Sequence, residues 1–206
     1  MYQRFFKRLL DIFLSLLGII ILALPMLAVA LIIKLDSPGP VLFRQKRVGI
    51  HKRYFTILKF RSMPVSVPSE LPTDQFDGEA LLSRWQRFMR SSSIDELPQL
   101  FNIFLGHMSV VGPRPALWNQ EELLALRDQY GANDVRPGLT GWAQINGRDT
   151  LTDEGKARYD GEYVKRLSFL FDCRCVFGTV GKVLRHDGVV EGGPSAAERE
   201  KEMAAK

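Results

Sequence analysis

The chain contains one long uncharged segment, residues 12–33, which constrains its fold more than any other feature. These 22 residues are apolar apart from Ser15, Gly18 and Pro25. As a helix rising ~1.5 Å per residue, the segment would reach about 33 Å, enough for the ~30 Å hydrocarbon core of a bilayer. One such segment is too few for a polytopic membrane protein, and we do not expect a wholly soluble monomer. The remainder is long enough for a single globular domain.

Charge is distributed unevenly along the 206 residues. The first 61 residues carry eleven Lys and Arg against two Asp, a net charge of +9, and the remaining 145 carry −4. Basic residues lie on both sides of the apolar segment, so the positive-inside rule places both of its ends in the cytoplasm and disfavours a straight span. A secretory signal peptide cleaved after Ala30 is also disfavoured, because the apolar run continues through Ile33.

Pro25 offers a way for both ends to reach the same side of the membrane. A proline inside a helix deletes a backbone hydrogen bond and costs about 3 kcal/mol unless a break is wanted. Divided there, residues 12–24 and 26–34 are each too short to cross a bilayer. We therefore predict a re-entrant helix–break–helix within residues 1–36 that enters one leaflet. A kinked helix that spans the membrane is the alternative, since membrane helices tolerate proline.

A strong helix breaker, Ser-Pro-Gly-Pro at residues 37–40, ends the membrane segment. After it we predict a catalytic domain at the membrane surface over residues 37–190 and a polar tail over residues 191–206. The fold class is α+β: a membrane-anchored, mostly helical compact domain with a short β element and interfacial amphipathic helices. Strands are predicted at 41–43 and 54–58, and helices at 79–90, 97–105, 118–129 and 153–166.

Two apolar segments allow more than one interpretation. Residues 79–90 place an apolar face opposite several arginines, a pattern that fits a helix packed on the core or a helix lying in the membrane interface. Residues 167–183 are also apolar, but Asp172 and Arg174 interrupt them, so we do not expect a second span.

The two cysteines, Cys173 and Cys175, are separated by one residue, a spacing that is geometrically poor for a disulfide. Reduced thiols are typical of a domain that faces the cytosol. The three histidines show no ligand spacing around the cysteines, so a zinc site is not expected.

Asp95 and Glu96 are the strongest candidates for chemistry. The spacing of Ser93 and Glu96 fits a helix capping box, which is the structural interpretation. Pro98 favours a helix that begins near it, which would leave both carboxylates at the helix mouth, where a phosphate or a metal can approach. A carboxylate can attack phosphorus when a cation screens the repulsion between them.

Arginines in rigid or glycine-rich turns form the second group of candidates. Arg114 lies between two prolines, and Arg136 and Arg148 lie in glycine-containing segments. Arginine binds phosphate bidentately, and glycine lets backbone N–H groups approach it. Each turn by itself is more typical of a solvated loop. The basic block at 44–61 fits anionic lipid better than nucleic acid, because it follows an apolar anchor and no nucleic-acid motif accompanies it.

Together these features resemble the bacterial sugar transferase family, the monotopic phosphoglycosyl transferases. The resemblance covers about residues 1–190. The matching motifs appear in order: the basic-flanked apolar segment with its proline, then residues 59–63, 90–99, 112–115, 135–141 and 144–148.

The resemblance implies that a UDP-sugar donates its phosphosugar to polyprenyl (undecaprenyl) phosphate, releasing UMP and forming a polyprenyl diphosphosugar. This is the first membrane step of an envelope polysaccharide, lipopolysaccharide or glycoprotein glycan. It implies a two-step covalent mechanism with Asp95 as nucleophile, Glu96 as its partner, and Mg²⁺ held by both. By position, the residues that would bind diphosphate or lipid phosphate are Lys59, Arg61, Arg90, Arg114, Arg136, Arg148 and Asp172.

The same resemblance implies a location at the cytosolic face of the bacterial inner membrane, with membrane lipid as a partner and no nucleic acid. Downstream glycosyltransferases and a second copy of the chain are further candidate partners.

Two features of this chain depart from the family pattern. Many compact members have Ser before the helix-breaking proline where this chain has Leu24, so a Ser hydroxyl is not expected to satisfy the freed backbone groups here. Larger members carry extra spans and a regulatory domain, so we expect a minimal catalytic unit.

Two other functions remain open from the residues. A membrane-anchored adaptor that binds anionic lipid would need the basic block but not Asp95, Glu96 or the arginine turns. A hydrolase of lipid diphosphates would release free phosphate instead of UMP.

Overall fold

The computed structural model of the chain describes residues 2–65, 82–147 and 150–185. In chain order its helices and strands are α1 (Lys7–Asp36), β1 (Leu42–Val48), β2 (Tyr54–Phe60), α2 (Arg84–Ser91), α3 (Gln99–Leu105), β3 (Ser109–Val111), α4 (Glu121–Asp128), β4 (Gly138–Thr140), α5 (Trp142–Ile145), α6 (Asp153–Arg166) and α7 (Phe169–Arg185). A π-helical turn, Tyr2–Phe6, precedes α1, and 3-10 turns lie at Ile50–Lys52, Ile94–Glu96 and Ala132–Asp134. The structure confirms a mixed, mostly helical fold with short strands.

α1 continues through Pro25, so the prediction that the anchor divides there into two helices is wrong. Its buried residues are Lys7, Asp11, Ser15, Met26, Val29 and Ile33. At 3.6 residues per turn they fall within an arc of about 100°, in register on both sides of the proline. A proline removes one backbone bond, and here Leu22 and Met26 pack with Phe60 and Met89 on either side of that gap. Tertiary packing therefore holds the helix together where its own hydrogen bonding is weakest.

The opposite face of α1 is apolar and exposed. Its exposed side chains include Phe13, Ile20, Ile21, Leu24, Leu27, Leu31 and Leu35. Among the described residues, α1 is the helix long enough and apolar enough to cross a bilayer. A continuous apolar surface of this length is typical of contact with lipid.

Both ends of α1 bind the same globular domain. At the start of the helix, Lys7 forms an ion pair with Asp172 of α7, and Arg8 donates to two carbonyl groups at the end of α3. Just after the helix ends, the carbonyl of Ser37 accepts a hydrogen bond from Arg61. The anchor therefore lies along the domain and is fastened to it at both ends.

β1 and β2 form an antiparallel hairpin in which Leu42 lies opposite Phe60 and Val48 lies opposite Tyr54. The two predicted strands are present, and both are longer than predicted. β1 is lengthened by the basic segment after residue 43, which pairs with residues 54–58, and β2 by Lys59 and Phe60, which pair with Phe43 and Leu42. The end of β2 packs against the 3-10 turn at Ile94–Glu96. This contact brings the strand to the candidate chemical residues.

The remaining elements form the rest of the core. β3 and β4 pair in parallel, with Ser109 opposite Gly138, and α4 packs against α6. α6 has the predicted bounds of 153–166, whereas α3 and α4 begin two and three residues later than predicted. The apolar segment at 167–183 forms α7, which packs against α5, β3 and β4.

Candidate active site

Asp95 and Glu96 lie on the 3-10 turn between α2 and α3. The backbone of Ser93, just before this turn, is left-handed with φ 57° and ψ 19°, a conformation that residues other than glycine adopt rarely. This left-handed residue separates the end of α2 from the start of the 3-10 turn. Both acidic residues are buried, with 7% and 9% of their surfaces exposed. Burial of two adjacent carboxylates is unfavourable unless other groups compensate their charge.

The capping box expected between Ser93 and Glu96 is not formed, because Ser93 makes no side-chain cap hydrogen bond. A capping box forms instead at the start of α2, where the side chains of Ser83 and Gln86 each bind the other's backbone N–H. The helix after the turn begins next to Pro98, as the sequence indicates. The Glu96 carboxylate instead binds two basic side chains.

Two cations from distant parts of the chain compensate Glu96. Lys59 Nζ, on β2, lies 2.8 Å from Glu96 Oε1, and Arg114 Nη2, in the loop after β3, lies 3.4 Å from the same oxygen. The side chains of Lys59 and Glu96 are only 13% and 11% exposed, so water screens their attraction weakly. The structure thus brings four predicted site residues together: Asp95, Glu96, Lys59 and Arg114.

Asp95 receives a hydrogen bond from a residue that the sequence analysis did not select. Ser62 Oγ donates to Asp95 Oδ2 at 3.3 Å, and both residues are buried. Ser62 stands two residues after β2, so the end of this strand and the residues just after it contact both acidic residues: Lys59 binds Glu96 and Ser62 binds Asp95. Its place in the motif at 59–63, three residues after a predicted site lysine, is the signal that could have identified it.

Arg90 and Arg61 lie beside this cluster in the chain. Arg90, near the end of α2, is 9% exposed, and its carbonyl accepts the N–H of Ser93. Arg61 is 5% exposed and donates to the carbonyls of Ser37 at 2.7 Å and Pro38 at 2.6 Å. Arg61 therefore holds the end of α1 next to the site, and its predicted role toward a phosphate stays a prediction.

Arg136 and Asp172 bind protein groups outside the cluster. Arg136 Nε donates to the carbonyl of Gly106, just after α3. Asp172 accepts hydrogen bonds from three side chains, those of Tyr2, Lys7 and Tyr163. These contacts give both residues a structural role, and their predicted contact with substrate stays a prediction. Arg148 lies outside the described residues.

The donor set at Asp95 and Glu96 fits Mg²⁺, the cofactor that the resemblance implies. Mg²⁺ prefers oxygen ligands, keeps several waters, and is usually held by one or two protein carboxylates together with substrate phosphates. In the described part of the chain no group of three or more His, Cys, Asp or Glu side chains could hold a metal ion by itself. A carboxylate pair of this kind suits a metal that is shared with a phosphate-bearing substrate.

The cluster combines the two carboxylates of Asp95 and Glu96, the neutral Ser62 hydroxyl, and the cations Lys59 and Arg114 in a small region that is mostly buried. The Arg114 side chain is 31% exposed, so this cation is accessible from solvent. An incoming phosphate would find positive charge from Lys59 and Arg114 beside the Asp95 carboxylate. Such an arrangement can bind an anion and present a nucleophile to it.

Comparison with known proteins agrees with the motifs. The family model described as bacterial sugar transferase matches residues 2–186. The UDP-glucose:undecaprenyl-phosphate glucose-1-phosphate transferase of Escherichia coli (strain K12) is 40% identical over 187 residues, covering 87% of this chain and 40% of that protein. The exopolysaccharide production protein PSS of Rhizobium leguminosarum bv. phaseoli is 43% identical over 187 residues, covering 84% of this chain and 92% of that protein.

A third relative is similar in length to this chain. The uncharacterized sugar transferase EpsL of Bacillus subtilis (strain 168) is 40% identical over 168 residues, covering 82% of each protein. The chain thus spans less than half of the Escherichia coli enzyme and most of the two shorter relatives. The family model accounts for nearly all of the sequence. The chain therefore belongs to the bacterial sugar transferase family.

Proposed function

We propose that this protein is a phosphoglycosyl transferase that moves a phosphosugar from a UDP-sugar to undecaprenyl phosphate and releases UMP. The observation that carries the proposal is the convergence of Lys59 and Arg114 on Glu96, beside Asp95, in this family. Relatives are named as transferases of sugar phosphates to undecaprenyl phosphate. Both substrates are anionic, so transfer between them requires positive charge around the nucleophile.

The reaction proceeds in two displacements at one phosphorus atom. An oxygen of Asp95 attacks the phosphorus that bears the sugar, and the bond from this phosphorus to the oxygen bridging to UMP breaks, so UMP leaves with the bridging oxygen. An oxygen of undecaprenyl phosphate then attacks the same phosphorus. The aspartyl oxygen leaves with the electron pair of its bond to phosphorus, which regenerates the carboxylate. The product is undecaprenyl diphosphosugar, the start of an envelope glycan.

Asp95 is proposed as the nucleophile, as the family resemblance implies, and Glu96 as its partner. One Glu96 oxygen is held by both Lys59 and Arg114, so Glu96 orients the cations that receive the diphosphate. Lys59 and Arg114 then stabilise the charge that develops on the transferring phosphoryl group. Arg90 and Arg148 are proposed as further ligands of the diphosphate or the lipid phosphate.

Mg²⁺ bound by Asp95 and Glu96 would supply additional positive charge to the diphosphate. Removal of divalent cations with EDTA is expected to abolish UMP release, and added Mg²⁺ to restore it. Full activity in the presence of EDTA would contradict a metal requirement.

We propose that α1 lies within one leaflet as a continuous helix, with both of its ends at the cytosolic face. The contacts of Lys7 with Asp172 and of Arg61 with Ser37 support this topology, because they fasten opposite ends of α1 to one domain. A spanning helix would place those ends on opposite sides of a hydrocarbon core about 30 Å thick. The domain's polar contacts would then have to lie within the bilayer, which is costly.

The exposed apolar side chains of α3 and α7 are proposed to lie in the membrane interface. They include Phe101, Phe104 and Leu105 on α3, and Leu170 and Phe177 on α7. α3 packs along the anchor helix, and α7 binds its start. Interfacial burial of these faces would place the site at the depth of the acceptor's phosphate.

UMP release from purified protein in nanodiscs tests the reaction. Undecaprenyl phosphate is supplied with a panel of UDP-sugars, beginning with UDP-glucose because the Escherichia coli relative is named for it. We expect UMP release with at least one sugar, no release by Asp95→Asn, and unchanged membrane association of that variant. Asp134→Asn is the matched control, since the Asp134 side chain is 70% exposed and lies outside the cluster.

The other possible outcomes would contradict the mechanism or indicate a different function. Full turnover by Asp95→Asn would contradict the covalent mechanism. Release of inorganic phosphate without UMP would indicate a hydrolase. Membrane binding by the unaltered protein without turnover of any UDP-sugar would favour the adaptor.

Topology is tested by labelling single cysteines in intact cells with a membrane-impermeant maleimide, in a Cys173→Ser, Cys175→Ala background. One cysteine replaces Gln3 before α1 and the other replaces Val65 in the domain; both positions are exposed. We expect neither to be labelled until the cells are opened. Labelling of position 3 alone in intact cells would show that α1 spans the membrane.

A further inference from the structure

Ser62 follows Arg61, a residue held by several contacts, and binds Asp95, the proposed nucleophile. It is 7% exposed, and its hydroxyl donates to Asp95 Oδ2 at 3.3 Å. The preceding residue, Arg61, donates its backbone N–H to Val41 and its guanidinium to the carbonyl of Ser37. The position of Ser62 is therefore set by its neighbour's contacts with the end of the anchor.

A carboxylate has two oxygens that exchange places through a soft torsion about its terminal bond. A hydrogen bond to one of them restricts this rotation. The donor at Ser62 is neutral, so it orients the carboxylate without adding a positive charge. Lys59, which precedes it by three residues, places a full positive charge on Glu96. The end of β2 and the residues just after it thus treat the two adjacent acidic residues differently.

We infer that Ser62 is a positioning residue whose hydroxyl, by binding Oδ2, restricts rotation of the Asp95 carboxylate and so helps to orient it for attack on phosphorus. The inference rests on the proposed function of Asp95. Ser62 itself bonds to no substrate atom and transfers no proton. Its effect falls on the step that forms the aspartyl–phosphorus bond, because a correctly oriented nucleophile lowers the barrier to attack.

The test measures the first step in isolation, as UMP released from the UDP-sugar identified above in a single turnover without undecaprenyl phosphate. Removal of a hydrogen bond to a charged group typically changes an equilibrium constant or a rate constant by a factor of roughly 10 to 100. We expect Ser62→Ala to slow this step by about that factor while KM for the UDP-sugar stays within about twofold. Ser62→Thr keeps a hydroxyl on the same carbon and is expected to restore most of the rate.

Ser62→Cys and Thr56→Val separate positioning from packing. Ser62→Cys leaves no cavity in place of the hydroxyl but donates weakly, so it should be slow like Ser62→Ala even if the alanine variant is less stable. Thr56→Val removes a hydroxyl from an exposed position on β2, the strand that precedes Ser62, and is expected to keep the normal rate. A normal rate in Ser62→Ala or Ser62→Cys would overturn the inference. So would a Ser62→Thr variant as slow as Ser62→Ala, or a loss confined to KM.

Asp95→Asn in the same assay distinguishes this inference from the proposed function. No UMP release by Asp95→Asn together with slow release by Ser62→Ala supports both. No release by Asp95→Asn with normal release by Ser62→Ala rejects the positioning role alone. Normal release by Asp95→Asn rejects the proposed nucleophile, and the positioning role with it.

Discussion

Lys7, at the start of the anchor helix, and Asp172, in α7, form an ion pair with 2.6 Å between Nζ and Oδ2, and each side chain is 10% exposed. Tyr2 donates to the same oxygen at 2.6 Å, and Tyr163 donates to Oδ1 at 2.8 Å. Burial raises the pKa of Tyr163, and the charge of Asp172 raises it further. The phenol therefore stays protonated and acts as a donor, and the four side chains fasten the anchor to the domain.

Removal of Lys7 is expected to destabilise the protein strongly, because Asp172 would remain as a buried charge without its cation. Breaking a buried pair by deleting one partner costs roughly 3–5 kcal/mol. We expect Lys7→Met to lower Tm by several degrees in detergent, and Lys7→Met with Asp172→Leu to lower it less than the sum of the single changes. Lys52→Met is the control, since its pair with Asp128 is about half exposed and is worth roughly 0–1 kcal/mol. Equal losses from Lys7→Met and Lys52→Met would show that the buried pair does not fasten the anchor.

Ser93 should tolerate glycine but not a β-branched residue, because its φ of 57° is left-handed. Glycine adopts this conformation readily, whereas a β-branched residue is strained there by roughly 1–3 kcal/mol. We expect Ser93→Gly to keep Tm and UMP release near normal and Ser93→Val to reduce both, since the turn carries Asp95. Ser92→Val, at φ −87°, is the matched control with an ordinary backbone. A Ser93→Val variant as stable as Ser92→Val would mean that the turn does not require this conformation.

Local patterns were sufficient to predict the bounds of α6 and the presence of two strands near residues 42 and 54, because these depend on residues close in sequence. The motifs also selected Glu96, Lys59 and Arg114, which meet in the structure, while the roles assigned to Asp95 and Glu96 stay predictions. Local patterns were insufficient at Pro25, where packing of Met26 and Leu22 against distant residues keeps the helix continuous. The contacts of Arg136 and Asp172 could not be predicted either. A charge in a sequence does not reveal whether its partner is a substrate or a backbone carbonyl, and that partner is fixed only when remote elements meet.

Cys173 and Cys175 are expected to differ sharply in reactivity despite being two residues apart. Cys175 is fully buried, and burial raises the pKa of its thiol to about 12, with a further contribution from Asp172. At pH 8 only about one thiol in ten thousand would then be thiolate, the form that reacts. Iodoacetamide should alkylate the partly exposed Cys173 and spare Cys175 in the folded protein, and alkylate both after denaturation, as measured by peptide mass spectrometry. Equal labelling of both thiols in the folded protein would contradict the buried placement of Cys175.

Arg127 and Asp160 join α4 to α6 through a second buried ion pair, with 2.6 Å between Arg127 Nη2 and Asp160 Oδ2 and side chains 6% and 1% exposed. Within the described residues, Asp160 Oδ1 is buried without a hydrogen-bond partner. Burial raises the pKa of Asp160, and Arg127 opposes that shift. The carboxylate therefore depends mainly on Arg127 for its charged form, with a smaller contribution from Lys156.

Arg127→Met is expected to destabilise the protein by roughly 3–5 kcal/mol near neutral pH, since it leaves the buried carboxylate unpaired. Without Arg127 the pKa of folded Asp160 lies still further above its unfolded value. Stability from the neutral carboxyl is then fully present below the unfolded pKa and is lost as pH rises through the raised folded pKa. The Tm deficit of Arg127→Met relative to the unaltered protein should therefore be larger at pH 8 than at pH 5. Arg127→Lys, which keeps the charge, should show a smaller deficit, and a deficit for Arg127→Met that shrinks as pH rises would mean that burial of Asp160 does not govern it.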